Sequence, residues 1–129
     1  MTVQGLSGPR QSGKQGGEVT ATWVGVCRAT ALPVDRGVCA LVRGVQVALF
    51  RLVDGAVYGI SNFDPFSRAF VLSRGIVGDR AGTPKVASPI YKQSFDLATG
   101  RCLDDPSVVV PAYATRIVDG FLEVALPCR

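Results

Sequence analysis

From Thr20 onward, short apolar runs rich in β-branched and aromatic residues recur: "TWVGVCRA", "GVCALVRG", "VQVALFRL" and "AVYGIS". Each is bounded by Gly, Pro or Asp, as strands bounded by turn residues are. Asp54-Gly55 reads as a hairpin turn between Leu52 and Val57, because Asp-Gly readily supplies positive φ. "RGVQ" at 43–46 joins the strands on either side. "VVVPAYATRIV" and "FLEVAL" form another hairpin around Asp119-Gly120. "GIVGDRAGTPKVA" reads as one more, turning at Arg80–Thr83. No segment sustains an apolar repeat at helical spacing over roughly 11 residues. Strands recurring every 8–12 residues or so predict an antiparallel all-β sandwich or barrel. Fifteen glycines and eight prolines fit a chain of many turns.

Residues 1–17, Gly- and Ser-rich with almost no large apolar side chain, read as a flexible tail. The β domain is expected over 18–127. Its middle, 62–100, is less strand-like and contains two Pro-bearing loops, "NFDPFSRAF" and "VASPIYKQSFDLATG".

At 129 residues and 47% hydrophobic content, the chain is long and apolar enough for a single domain with a real core. No apolar run approaches the roughly 20 residues of a membrane helix, and the N-terminus lacks the apolar stretch of a secretory signal. The expected location is the cytoplasm, with no membrane partner. The net charge of +4 is spread singly, without clusters or aromatic interleaving, which argues against nucleic acid. Cys27, Cys39, Cys102 and Cys128 are far apart and form no CxxC pair. Reduced thiols are expected, with Cys27 and Cys39 as small strand residues, and zinc is not.

Catalytic signals are weak. The chain has no histidine for acid–base work and no activated-nucleophile pattern. Asp104-Asp105 read as turn residues. "SRGIVGDRAG" lacks the Gly-Lys-Ser/Thr ending of a phosphate loop. Gly75, Gly78 and Gly82 are expected to serve turns; the alternative reading of this stretch is that Arg74 and Arg80 grip carboxylates on a partner. Trp23 reads as a strand-face residue. Autonomous catalysis is not expected.

The order "AVYGISN", a Pro loop, "SPIYKQSFDLATGRCLDDP" and "VPAYATRIVDGFLEV" resembles a Rieske-type iron–sulfur domain over residues 22–126. The resemblance implies Cys-Pro-His in the first loop and Cys-Pro-x-His-Gly in the second. Anchored on Phe95-Asp96, it places Ser88 at the second cysteine, Tyr91 at the second histidine and Lys92 at the usual glycine. Pro89 keeps its place. Asp64-Pro65-Phe66 stands where the first Cys-Pro-His would be. All four ligand positions, Asp64, Phe66, Ser88 and Tyr91, are therefore substituted. A two-iron Rieske centre needs two thiolates and two imidazoles. Phe66 has no donor atom, and serine and tyrosine oxygens replace neither ligand type.

Such a domain without ligands, carrying "NFDPFS", "SRGIVGD" and "SPIYKQSFDL", resembles the small subunit of assimilatory NAD(P)H-dependent nitrite reductase. The resemblance implies a partner, the large subunit, which carries FAD, an iron–sulfur cluster and sirohaem and reduces nitrite to ammonium with six electrons. It implies that this chain is a non-catalytic accessory subunit with no cofactor of its own. Phe66 and Tyr91 are expected to fill the emptied space, stacked edge to face. Asp64 is expected to bond turn amides and to pair with Lys92 or Arg68. The loop tips, Asp64, Pro65, Phe66, Arg68, Ser88, Pro89, Tyr91 and Lys92, are the expected partner interface. The alternatives are a regulatory or small-molecule-binding domain using the vacated cleft and, against the missing ligands, a Rieske ferredoxin.

Overall fold

The computed structural model describes residues 2–4 and 21–127. The strands are β1 (Thr2–Gln4), β2 (Ala21–Arg28), β3 (Gly37–Val42), β4 (Val45–Arg51), β5 (Val57–Ser61), β6 (Phe63–Asp64), β7 (Ala69–Phe70), β8 (Ile76–Arg80), β9 (Thr83–Ala87), β10 (Ser94–Asp96), β11 (Ala112–Tyr113), β12 (Thr115–Val118) and β13 (Phe121–Pro127). Single 3₁₀ turns cover Ala29–Ala31 and Leu72–Arg74. The all-β architecture expected from the patterning is present. Most of the expected tail, and Cys128, lie outside the described residues. Thr2–Gln4, within that tail, run parallel to Cys39–Leu41 of β3.

Three hairpins close through two residues that both have positive φ: Arg43-Gly44, Ala81-Gly82 and Asp119-Gly120. This geometry matches the right-handed twist of the strands it joins. The hairpin at Arg80–Thr83 is among them, as β8 and β9 pair from Ile76↔Ala87 to Arg80↔Thr83. One expected strand is divided. "VVVPAYATRIV" yields β11, which pairs with β5, and β12, which pairs with β13. The chain thus changes sheets between Tyr113 and Thr115, a step that periodicity along one segment does not reveal.

A five-stranded sheet in the order β1-β3-β4-β5-β11 faces the β12-β13-β2 sheet. Val38, Ala40, Val42, Val47 and Leu49 meet Val24, Val26, Leu122, Val124 and Leu126 in the core between them. The opposite face of the large sheet is also covered. Ala48, Phe50 and Ile60 pack with Leu72, Val86, Phe95, Leu97, Cys102 and Val110 of the loop region. Alternate residues of β4 therefore enter different cores, and Val47–Phe50 are all buried. That is why "VALF" reads as an unbroken apolar run, as a strand buried on both faces does. The second core seats the sheets β10-β9-β8 and β6-β7, which carry the two Pro loops.

The candidate functional site is a pair of matched turns

The first loop springs from Asn62, which is buried and bonded on several sides. Its side-chain amide donates to Gln46 Oε1 at 3.0 Å, and its Oδ1 accepts from the Ser73 amide at 2.7 Å. A buried amide satisfied in this way fixes the root of the loop against β4 and the Leu72–Arg74 turn.

Beyond that root, the two loops repeat one geometry. In Asp64-Pro65-Phe66-Ser67-Arg68, Asp64 Oδ1 accepts the Phe66 amide at 2.9 Å and the Asp64 carbonyl accepts the Arg68 amide at 2.7 Å. In Ser88-Pro89-Ile90-Tyr91-Lys92, Ser88 Oγ accepts the Ile90 amide at 3.2 Å and the Ser88 carbonyl accepts the Lys92 amide at 3.1 Å. Each turn starts on a short polar side chain that bonds the amide two residues on, as such residues do before proline. Each ends on a cation in the left-handed region, Arg68 at φ 61° and Lys92 at φ 69°. Glycine adopts that region without steric cost. This explains why the resemblance puts glycine at position 92.

The turns are joined at their first residues. Ser88 Oγ donates to Asp64 Oδ2 at 2.6 Å, and Ser67 Oγ donates to the same oxygen at 2.9 Å. Both Asp64 and Ser88 are buried. The bond thus lies between the two positions where the resemblance places cysteines. The expected pairing of Asp64 with Arg68 or Lys92 is replaced: two hydroxyls and the Phe66 amide take its carboxylate, while the Arg68 amide bonds the Asp64 carbonyl and the Lys92 amide bonds the Ser88 carbonyl.

The aromatic expectation is half met. Phe66 faces inward and meets Phe95 at a centroid distance of 6.1 Å and an interplanar angle of 49°. It packs on the second core. Tyr91 does not stack on it and is 59% exposed. An apolar ring joins that core at no polar cost, whereas a buried phenol would need a hydrogen-bond partner. Of the expected interface residues, Arg68, Pro89, Tyr91 and Lys92 are exposed, Pro65 and Phe66 are half-buried, and Asp64 and Ser88 lie beneath. Ser67, Phe95 and the exposed Ile90 complete the site. Sequence reading missed them because none occupies a ligand position in the resemblance.

The surroundings refine other expectations. Arg80 is engaged within the chain, with Nη2 3.3 Å from Asp104 Oδ1. Asp104 Oδ2 also accepts the Ser94 amide at 2.7 Å. That amide bond, with Arg80 and Lys85 nearby, holds the Asp104 carboxyl below its usual range. Gly82 serves a turn at φ 90°. Gly75 instead allows close approach, since a Cβ there would run into the Ala87 carbonyl oxygen, next to Ser88. Trp23 lies on β2, with the Arg116 guanidinium 4.0 Å over its ring. Cys27, Cys39 and Cys102 are free thiols, and burial raises the first two.

These donors do not fit a two-iron Rieske cluster. Such a cluster needs four soft or imidazole donors converging between the loops. Here one position is a phenyl ring, one is an exposed phenol, and the other two bond to each other. Among the described residues, no group of three or more His, Cys, Asp or Glu is placed to hold a metal. No helix among them is long and apolar enough to cross a membrane.

Residues 22–125 match the family model described as a Rieske-like [2Fe-2S] domain. The chain is 42% identical over 103 residues to the nitrite reductase (NADH) small subunit of Salmonella typhimurium, covering 79% of this chain and 95% of that protein. A crystal structure assigned to an NADH-dependent nitrite reductase small subunit of Mycobacterium tuberculosis superimposes with a TM-score of 0.82. It is 50% identical, over 85% of this chain and 99% of that one. A nitrite reductase [NAD(P)H] large subunit of Klebsiella oxytoca contains a region 41% identical over 98 residues, which is 76% of this chain but 10% of that protein. With matched turns whose ligand positions hold aspartate, phenylalanine, serine and tyrosine, the chain belongs to the Rieske-like family of nitrite reductase small subunits.

Proposed function

We propose that this chain is the cofactor-free, non-catalytic small subunit of a cytoplasmic NAD(P)H nitrite reductase. Its working unit is the β domain of residues 18–127, with 62–100 as a degenerate cluster-loop region. Its partner is a large subunit that carries FAD, an iron–sulfur cluster and sirohaem and reduces nitrite to ammonium.

The observation that carries this reading is the Ser88–Asp64 bond of 2.6 Å. A Rieske cluster ties two loops together through its ligands; here a buried hydrogen bond does so. The loops keep a defined shape while the redox group is gone. What the domain then offers a partner is a surface, formed by the tips Asp64–Arg68 and Ser88–Lys92.

A small-molecule site in the vacated cleft has less support. Phe66 and the Asp64–Ser88 bond occupy the space a ligand would need.

The test is to purify the tagged chain from nitrate-grown cells of its own source, identify what accompanies it and assay NAD(P)H-dependent nitrite loss. A large flavoprotein carrying sirohaem, with nitrite-consuming activity, supports the reading. Iron analysis of the chain alone tests the cofactor claim: stoichiometric iron and acid-labile sulfide would overturn it.

A further inference from the structure

We infer that Arg68 and Lys92 form a two-pronged cationic grip on carboxylates of the large subunit, flanking an apolar contact made by Ile90 and Tyr91. This rests on the subunit reading above and names the residues and chemistry of its docking surface.

Three observations converge. The first is geometric. Arg68 and Lys92 occupy the same fifth position in two matched turns, and the Ser88–Asp64 bond holds those turns side by side. Both cations stand at positive φ, where glycine would fit more easily. Local structure gives neither side chain a reason to be there: among the described residues neither has a hydrogen-bond or ion-pair partner. A strained backbone position that carries a functional group without a structural contact points to a use outside the chain.

The second is charge. Stretches 65–78 and 84–95 contain Arg68, Arg74, Lys85 and Lys92 and no acidic residue. The nearest carboxylate in the first loop, Asp64, is buried and bonded internally. The tip is therefore uniformly cationic, and its complement is a carboxylate-bearing surface. Beside the cations, Ile90 is 45% exposed and Tyr91 59% exposed. An apolar centre rimmed by charge is the usual make-up of a docking patch.

The third identifies the occupant. The Klebsiella oxytoca large subunit holds a region like this domain within one polypeptide about ten times its length. A domain found both separate and fused to one larger body has that body as its neighbour.

The experiment measures affinity of the full chain for the large nitrite reductase subunit of the same source, across a salt series, for native, Arg68→Gly/Lys92→Gly and Arg68→Glu/Lys92→Glu proteins. Thermal stability is measured alongside. The glycine pair removes both charges and relieves both backbones, so a merely structural role and a docking role move the two readouts differently. Expected are an unchanged or raised Tm and a loss of affinity of roughly tenfold or more, larger for the glutamate pair. The native salt dependence should flatten in the glycine pair, since exposed charges are screened. Native binding with equal affinity and salt slope in the glycine pair would overturn the grip while leaving the subunit reading intact. No binding by the native chain would overturn both.

Discussion

Ser88 donates its hydroxyl to Asp64 at 2.6 Å, across 24 residues of sequence and between two loops that otherwise share no strand. Both residues are buried, so the bond is shielded from competing water. Ser88→Ala should lower stability by about 1–3 kcal/mol, as loss of a hydrogen bond to a buried carboxylate does. Asp64→Ala should cost more, because it also strands Ser67 and the Phe66 amide. Urea unfolding gives both values. A Ser88→Ala change within about 0.5 kcal/mol of native would mean that something else holds the loops.

Phe66 and Tyr91, formally equivalent in the family resemblance, should separate on truncation. Phe66→Ala removes a ring packed on Phe95 and should cost about 2–4 kcal/mol. Tyr91→Ala should stay within about 0.5 kcal/mol, as an exposed substitution does. Equal losses in a thermal melt would show that Tyr91 also serves as filler.

Asp104 should make stability pH-dependent in acid. The Ser94 amide, and then Arg80 and Lys85, hold its folded carboxyl below the usual aspartate range. A lowered folded pKa stabilises above the unfolded value, and that contribution is lost as pH falls through the folded one. Asp104→Asn should therefore destabilise at neutral pH, and its deficit should shrink below about pH 4. The group is exposed, so the effect is modest. Denaturant midpoints at pH 7 and pH 3 test this; a deficit that grows in acid would reverse the sign.

Gly75→Ala should cost more than Gly78→Ala. The added Cβ would meet the Ala87 carbonyl oxygen, which is backbone and cannot rotate away. A loss of about 1–3 kcal/mol is expected. Gly78→Ala, where only the Lys85 side chain lies within reach, should be near neutral. A differential scan of the two variants decides it.

The sheet was legible where local rules suffice. Arg43-Gly44, Ala81-Gly82 and Asp119-Gly120 each place a Gly where a two-residue hairpin needs positive φ, and the runs between them show strand composition. The missing histidines and the four substituted positions were equally plain, since composition alone bars imidazole ligation. The division of residues 112–118 between two sheets was not legible, because both halves have the same local preference.

By itself, the sequence determined an all-β chain, its hairpins and a Rieske-like loop pair without Rieske ligands. Each of those follows from a period of two, a turn dihedral or the chemistry of a side chain. Tertiary structure alone decided that Asp64 turns to Ser88 and not to a cation, that Phe66 points inward while Tyr91 points out, and that Arg68 and Lys92 occupy matching places. Those choices depend on what a second loop, many residues away, brings within hydrogen-bonding or packing distance, and local preference carries no record of it.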